Sequence, residues 1–287
     1  MSEVAIRHEQ IQGDGVRLHA AVAGEGPPVI LLHGFPENWR SWRRQMGALA
    51  AAGFSAWAPD LRGYNLSEKP AGREPNHLRH LVEDVAAVVR ATGHARAHVV
   101  GHDWGGIIAW TFAGQHPELL HRLAILNPPH LRLYMEQVRR PPQMFRSSYV
   151  LFFQLPVLPE RALSRGDFAA VRKMFRSGPA VKDAFPDGEI EQYVRALAAP
   201  GALTAALNYY RTNLTTDGLK LAREAVTDAE TLVLWGELDP ALDLRLLDGI
   251  ERVAPKVRVH RLPGISHWIQ NEAPEEVNRA LIDFLRG

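Results

Sequence analysis

Residues 98–106 read His98-Val99-Val100-Gly101-His102-Asp103-Trp104-Gly105-Gly106, and this stretch decides the fold. A short apolar run ends at Gly101, and helical spacing begins at Trp104 and continues to Gln115. A short continuous apolar run between turn residues suits a strand buried on both faces. Passing from strand to helix within two residues demands a sharp turn, with one side chain at its tip. In open α/β sheets the carboxyl end of the strands is where ligands bind. Small residues at Gly101, Gly105 and Gly106 allow the close backbone approach such an elbow needs. The tip residue is Asp103. Its plainer reading is a helix N-cap, but a cap does not call for three glycines at these offsets.

Outward from the elbow the chain alternates strand and helix signals. Strands are expected at 16–23, 28–33, 54–59, 98–101 and 123–126. Leu78, Leu81, Val82, Val85, Val88 and Val89 give helical spacing within 75–93, and Gly93 supplies the stop. This order predicts an α/β protein with a mostly parallel sheet flanked by helices and right-handed crossovers. The pattern changes after Asn127. From 128 to 225 the chain is rich in Pro, Arg, Tyr and Phe, with helical pieces at 168–175, 189–198 and 203–213. Strand signals return at 231–236 and 257–262, and a helix over 275–285 closes the chain. The expected organisation is a core of 1–127 and 226–287 interrupted by a helical cap, 128–225.

Composition narrows the function. In 287 residues there are 46% hydrophobic and 23% charged side chains, an ordinary globular balance. Lys and Arg number 33 against 32 Asp and Glu, a net charge of +1, so no strong field favours nucleic acid or an anionic membrane. The chain has no cysteine, which excludes disulfides, thiolate metal sites and a Cys nucleophile. The segment Met1-Ser2-Glu3-Val4-Ala5-Ile6-Arg7-His8 lacks the pattern of a secretory signal. The longest apolar candidate, 150–158, is broken by Gln154 and Pro156 and is short of a membrane span. A soluble, cytoplasmic protein is expected, with no cofactor and no metal. Monomer and homo-oligomer both remain open.

An aspartate at the elbow is already a nucleophile at neutral pH. It can attack a saturated carbon and leave an alkyl ester, which water must then hydrolyse. That second step needs a general base, an acid to orient it and an oxyanion hole for the aspartate's own carbonyl. His267, in Gly264-Ile265-Ser266-His267-Trp268, follows the last strand. Asp239, in Trp235-Gly236-Glu237-Leu238-Asp239-Pro240, follows the strand before it, with Glu237 as the competing acid. The order nucleophile, acid, histidine is that of hydrolases with a nucleophile elbow. The Trp104 N–H and the Phe35 N–H, in His33-Gly34-Phe35-Pro36, are the candidate oxyanion donors.

These motifs, together with Glu37 and the segment Pro59-Asp60-Leu61-Arg62-Gly63-Tyr64-Asn65-Leu66-Ser67-Glu68-Lys69-Pro70, resemble those of soluble epoxide hydrolases of the α/β-hydrolase fold. They extend across nearly the whole chain. Asn65 stands where relatives often have Gly, a change that Asn tolerates. The resemblance implies two cap tyrosines that hold and protonate the epoxide oxygen. The matching residues are Tyr149, in 148–154, and Tyr210, in 207–211, with Tyr209 as the alternative to Tyr210. Trp104, Pro36 and Trp268 are expected to contact substrate. The implied reaction takes an epoxide and water to a vicinal diol through an aspartyl ester.

Two other readings compete. Haloalkane and haloacid dehalogenases also use an elbow Asp. Trp104 offers one halide-binding N–H, but Phe35 offers no second side-chain donor. The haloacid type places two arginines after the Asp, where this chain has Trp104 and Ile107. A non-catalytic receptor on the same fold has no need to keep the full catalytic set. His77/His80 and His94/His98 lack acidic partners in sequence and read as solvated faces rather than metal sites. Trp39 and Trp42 read as packing residues.

Overall fold

In Val29-Ile30-Leu31-Leu32, alternate side chains point to opposite faces of a strand. Val29 and Leu31 pack into one hydrophobic core and Ile30 and Leu32 into another, so the sheet is covered on both sides. The computed structural model describes residues 5–287; the Met1–Val4 part of the leader reading lies outside them.

Eight strands form one sheet: β1 (Ile6–Gln12), β2 (Arg17–Ala23), β3 (Pro28–Leu32), β4 (Ser55–Pro59), β5 (Ala97–His102), β6 (Leu120–Leu126), β7 (Thr231–Gly236) and β8 (Val257–Leu262). Their spatial order is β1-β2-β4-β3-β5-β6-β7-β8. β1 and β2 pair antiparallel, as do β2 and β4, and every other neighbour is parallel. Helices α1 (Arg43–Ala51), α2 (Leu78–Ala91) and α3 (Trp104–Gln115) belong to the first part of the chain. Then come α4 (Leu131–Gln137), α5 (Gln143–Arg146), α6 (Ser148–Phe153), α7 (Leu158–Ser177, broken at 165–168), α8 (Asp187–Ala198), α9 (Ala202–Asn213) and α10 (Thr216–Glu224). All seven lie between β6 and β7 in the chain. α11 (Ile269–Glu272) and α12 (Pro274–Arg286) close it.

Leu18, Ala20 and Val22 of β2 face one core while Ala21 and Ala23 face the other, which is why the strand alternates only weakly in sequence. β1 escapes the sequence reading because it is an edge strand of mostly exposed, polar residues. α1 was also not anticipated. It packs Met46 and Leu49 with Val277, Leu281 and Phe284 of α12 in one core. α9 is tied to the start of α2: Asn213 Nδ2 donates to the Asn76 carbonyl at 2.9 Å, and Asn213 Oδ1 accepts from the Leu78 N–H at 2.6 Å. No helix among the described residues is long and apolar enough to cross a membrane.

Candidate active site

The β5–α3 turn places Asp103 at φ 50°, ψ −123°, a region L-residues rarely occupy. The approach around it is close. A Cβ on Gly34 would stand 2.3 Å from Asp103 Cβ, and one on Gly105 would stand 2.2 Å from the Leu32 carbonyl oxygen. The two glycines therefore let the β3 turn and α3 close around the elbow. Asp103 Oδ1 accepts from the Phe35 N–H at 2.7 Å, which leaves Oδ2 facing His267, 3.6 Å from Nε2. Among the described residues no bond joins the Trp104 N–H to this carboxylate. As the first N–H of α3 it lacks an intrahelical acceptor.

His267 Nδ1 donates to Asp239 Oδ2 at 2.7 Å. Asp239 is fully enclosed, and its Oδ1 accepts from the Ala241 and Leu242 N–H groups at 2.7 and 2.9 Å. Glu237 instead pairs with Arg261 at the surface, so the structure separates the two acids that the sequence left in competition. Burial alone would lower the His267 pKa, but the charges of Asp239 and Asp103 outweigh it and raise it well above the ordinary imidazole value. Burial alone would raise Asp103, but His267 beside it, with His102 and the Phe35 N–H, holds it below the usual carboxylate range.

Tyr149 of α6 and Tyr210 of α9 line the same cavity as Asp103, their ring centroids 6.1 Å apart. Burial, followed by the Asp103 charge, pushes both phenols well above their ordinary pKa of 10.0. Tyr209 points elsewhere: its hydroxyl donates to the Arg62 carbonyl at 2.8 Å in the core. Trp268 and the Phe35 ring line the larger part of the cavity, about 350 Å³, and Trp104 a smaller part of about 50 Å³. Pro36 lines neither. It is buried in the turn closed by the Glu37 N–H on the Gly34 carbonyl, at 2.9 Å, and the Phe35 side chain takes the place beside the cavity.

Sequence reasoning missed several supporting residues. Asn127, at the end of β6, donates through Nδ2 to Asp239 Oδ2 at 2.7 Å and accepts through Oδ1 from the Gly236 N–H at 2.7 Å. A polar residue at the carboxyl end of a buried parallel strand was the available signal. His102 donates from Nε2 to the His267 carbonyl at 2.9 Å, with its Nδ1 3.1 Å from Glu37 Oε2. On α5, Gln143 donates to the Ala241 carbonyl at 2.9 Å and accepts from the Asp243 N–H at 2.8 Å. Arg146 Nη1 donates to the Asp239 carbonyl at 2.8 Å. These bonds tie the segment before Tyr149 to the loop that carries Asp239. Among the described residues no group of His, Asp and Glu is arranged to hold a metal ion. His80 contacts Asp14 and Glu74 at the surface. His98 is not solvated as expected: it is buried on β5 against His121, and its pKa falls to about 3 through burial. Trp39 and Trp42 are both buried in the core against α1.

A family model for the α/β hydrolase fold matches residues 27–274. The chain is 37% identical over 285 residues to epoxide hydrolase 3 of Xenopus tropicalis, covering 96% of this chain and 77% of that protein. It is 36% identical over 288 residues to the AB hydrolase superfamily protein YfhM of Bacillus subtilis, covering 98% of this chain and 99% of that one. The crystal structure of a Bacillus megaterium epoxide hydrolase with an inhibitor superposes with a TM-score of 0.87 at 33% identity, covering 97% of this chain and all of that one (100%). Epoxide hydrolase VrEH1 of Vigna radiata gives a TM-score of 0.86 at 28% identity, covering 98% of each chain. The chain belongs to the α/β-hydrolase-fold family and, within it, to the epoxide hydrolases.

Proposed function

We propose that this enzyme adds water to an epoxide to give a vicinal diol, with Asp103 as nucleophile. The observation that carries the reading is one cavity lined by Asp103, His267, Tyr149 and Tyr210 together. Asp103 Oδ2 attacks an epoxide carbon, and the C–O bond breaks. The oxygen keeps the electron pair and takes a proton from the phenol of Tyr149 or Tyr210. The product is an ester on Asp103. His267 Nε2 then removes a proton from water, and the hydroxide adds to Asp103 Cγ. Oδ1 becomes the oxyanion, already 2.7 Å from the Phe35 N–H, with the Trp104 N–H as second donor. Collapse expels the diol oxygen, which takes the proton from His267. The carboxylic acid regenerated at Asp103 loses its proton, which restores the phenol of the tyrosine that protonated the epoxide oxygen. Asp239 orients the imidazole and stabilises its charged form.

The raised His267 pKa fits this sequence. Two carboxylates favour the imidazolium in the free enzyme. Alkylation converts Asp103 to a neutral ester, removes one of those charges and frees His267 to act as base. We also propose that 128–225 acts as a cap over a core of 1–127 and 226–287, and that the enzyme works in the cytoplasm on a small-molecule epoxide, with no nucleic acid partner.

The first test offers styrene oxide and a haloacetate side by side and measures diol and halide. Diol without halide is expected; halide without diol contradicts the reading. The haloacid alternative lacks its cation beside Trp104, where apolar Ile107 stands at the wall.

The half-reactions should also differ in pH dependence. Stopped-flow measurement of epoxide opening should show no loss from deprotonation of the tyrosines up to pH 10, because both phenols titrate above 10.0. Ester hydrolysis should fall as pH is lowered, because protonation of His267 removes the base. Its apparent pKa should be lower in the alkyl-enzyme than in the free enzyme.

A further inference from the structure

The two parts of the cavity are unequal. Both are lined by Asp103, Tyr149 and Tyr210, so an epoxide held by those groups has one ring carbon toward each part. The larger, about 350 Å³, is walled by Phe35, Phe153, Met174 and Trp268. The smaller, about 50 Å³, has Ile107, Pro128, Leu131 and Leu214 in its wall. Building on the epoxide hydrolase reading, we propose that the site selects epoxides with one bulky apolar substituent and, on the other ring carbon, hydrogen or a short alkyl group.

The magnitude supports the limit. The smaller part offers about one-seventh of the space of the larger, 50 against 350 Å³, which suits a short alkyl group. A phenyl ring or a six-carbon chain exceeds that. The walls are also braced. Pro128 presses on α3 so closely that a Cβ on Gly106 would stand 2.1 Å from its Cγ. Leu214 follows Asn213, whose side chain is bonded to Asn76 and Leu78. Leu131 is buried at the start of α4. On these sides the smaller part is held by α3, α4 and the end of α9. The larger part carries the aromatic surface that a ring-sized substituent stacks on.

The test is a series of phenoxymethyl epoxides whose second ring carbon bears hydrogen, methyl, propyl, hexyl or phenyl in the trans position. Diol formation gives kcat/KM for each. We expect values within about tenfold from hydrogen to propyl, then a fall of a hundredfold or more for hexyl and phenyl. Ile107→Ala and Leu214→Ala, made separately, should each raise the phenyl-to-propyl ratio at least tenfold. That ratio is taken within one preparation, so loss of folded protein does not affect it. A phenyl compound turned over within tenfold of the methyl compound overturns the size limit, as does a ratio unmoved in both variants. In either case the reaction reading stands. Failure to hydrolyse even the terminal member overturns the reaction reading itself and this inference with it.

Discussion

Replacing both Tyr149 and Tyr210 with Phe is expected to slow epoxide opening by about ten thousandfold, with each single variant losing about a hundredfold. Opening a neutral epoxide develops an alkoxide, and an acid must meet it. Of the acids lining the cavity, Tyr149 and Tyr210 stay protonated through neutral pH and have no acceptor engaged elsewhere among the described residues, whereas the Tyr134 hydroxyl donates to Ser147 and Arg146 donates to the Asp239 and Leu242 carbonyls; His267 is required later as base. Losing one transition-state hydrogen bond in a dry site costs on the order of 3 kcal/mol. With one tyrosine left, the alkoxide still finds a proton, so the singles lose partially and the double loses nearly all. Phe keeps the ring packing, including Tyr210 on Phe35 at 5.7 Å and on Trp104 at 5.0 Å, so thermal unfolding should be little changed. A dehalogenase would not respond this way, because halide leaves without a proton. Opening at the wild-type rate in the double variant would remove the cap assignment.

The second large effect is at His267. His267→Gln should leave opening nearly intact and slow ester hydrolysis by about a thousandfold or more, the range a positioned general base supplies. The alkyl-enzyme then accumulates, and intact-mass measurement should show a gain equal to the substrate. Asp239→Asn should slow hydrolysis by less, since the imidazole remains and loses only its orienting acceptor. An unmodified protein mass during turnover in His267→Gln, with diol forming at the usual rate, would contradict the assignment.

How much of this was legible in the sequence depended on whether each residue's role is local. Asp103 and His267 sit in glycine-rich turns directly after strands, so backbone chemistry marks them. Asp239 was marked too, but only three dimensions separate it from Glu237, which the Arg261 pair holds at the surface. Tyr210 and Tyr209 are adjacent on one helix, and nothing in the sequence says which meets Arg62 and which meets the cavity. Asn127, Gln143 and Arg146 act on a loop about a hundred residues away along the chain, so no spacing rule reaches them. β1 was invisible for another reason. An edge strand that is mostly exposed carries almost no apolar signal. The size limit of the cavity depends on four side chains drawn from α3, the turn after β6, α4 and the end of α9, which only the fold brings together.

The central claim is that water attacks the Asp103 ester and never the epoxide. A single turnover in heavy-oxygen water, with enzyme in excess, tests it directly. Peptide mass spectrometry should then find the label in Asp103, and the first diol should carry none, because its new oxygen came from the aspartate. Label in that first diol with none in Asp103 would mean that water opens the ring, and the account of this site would be wrong.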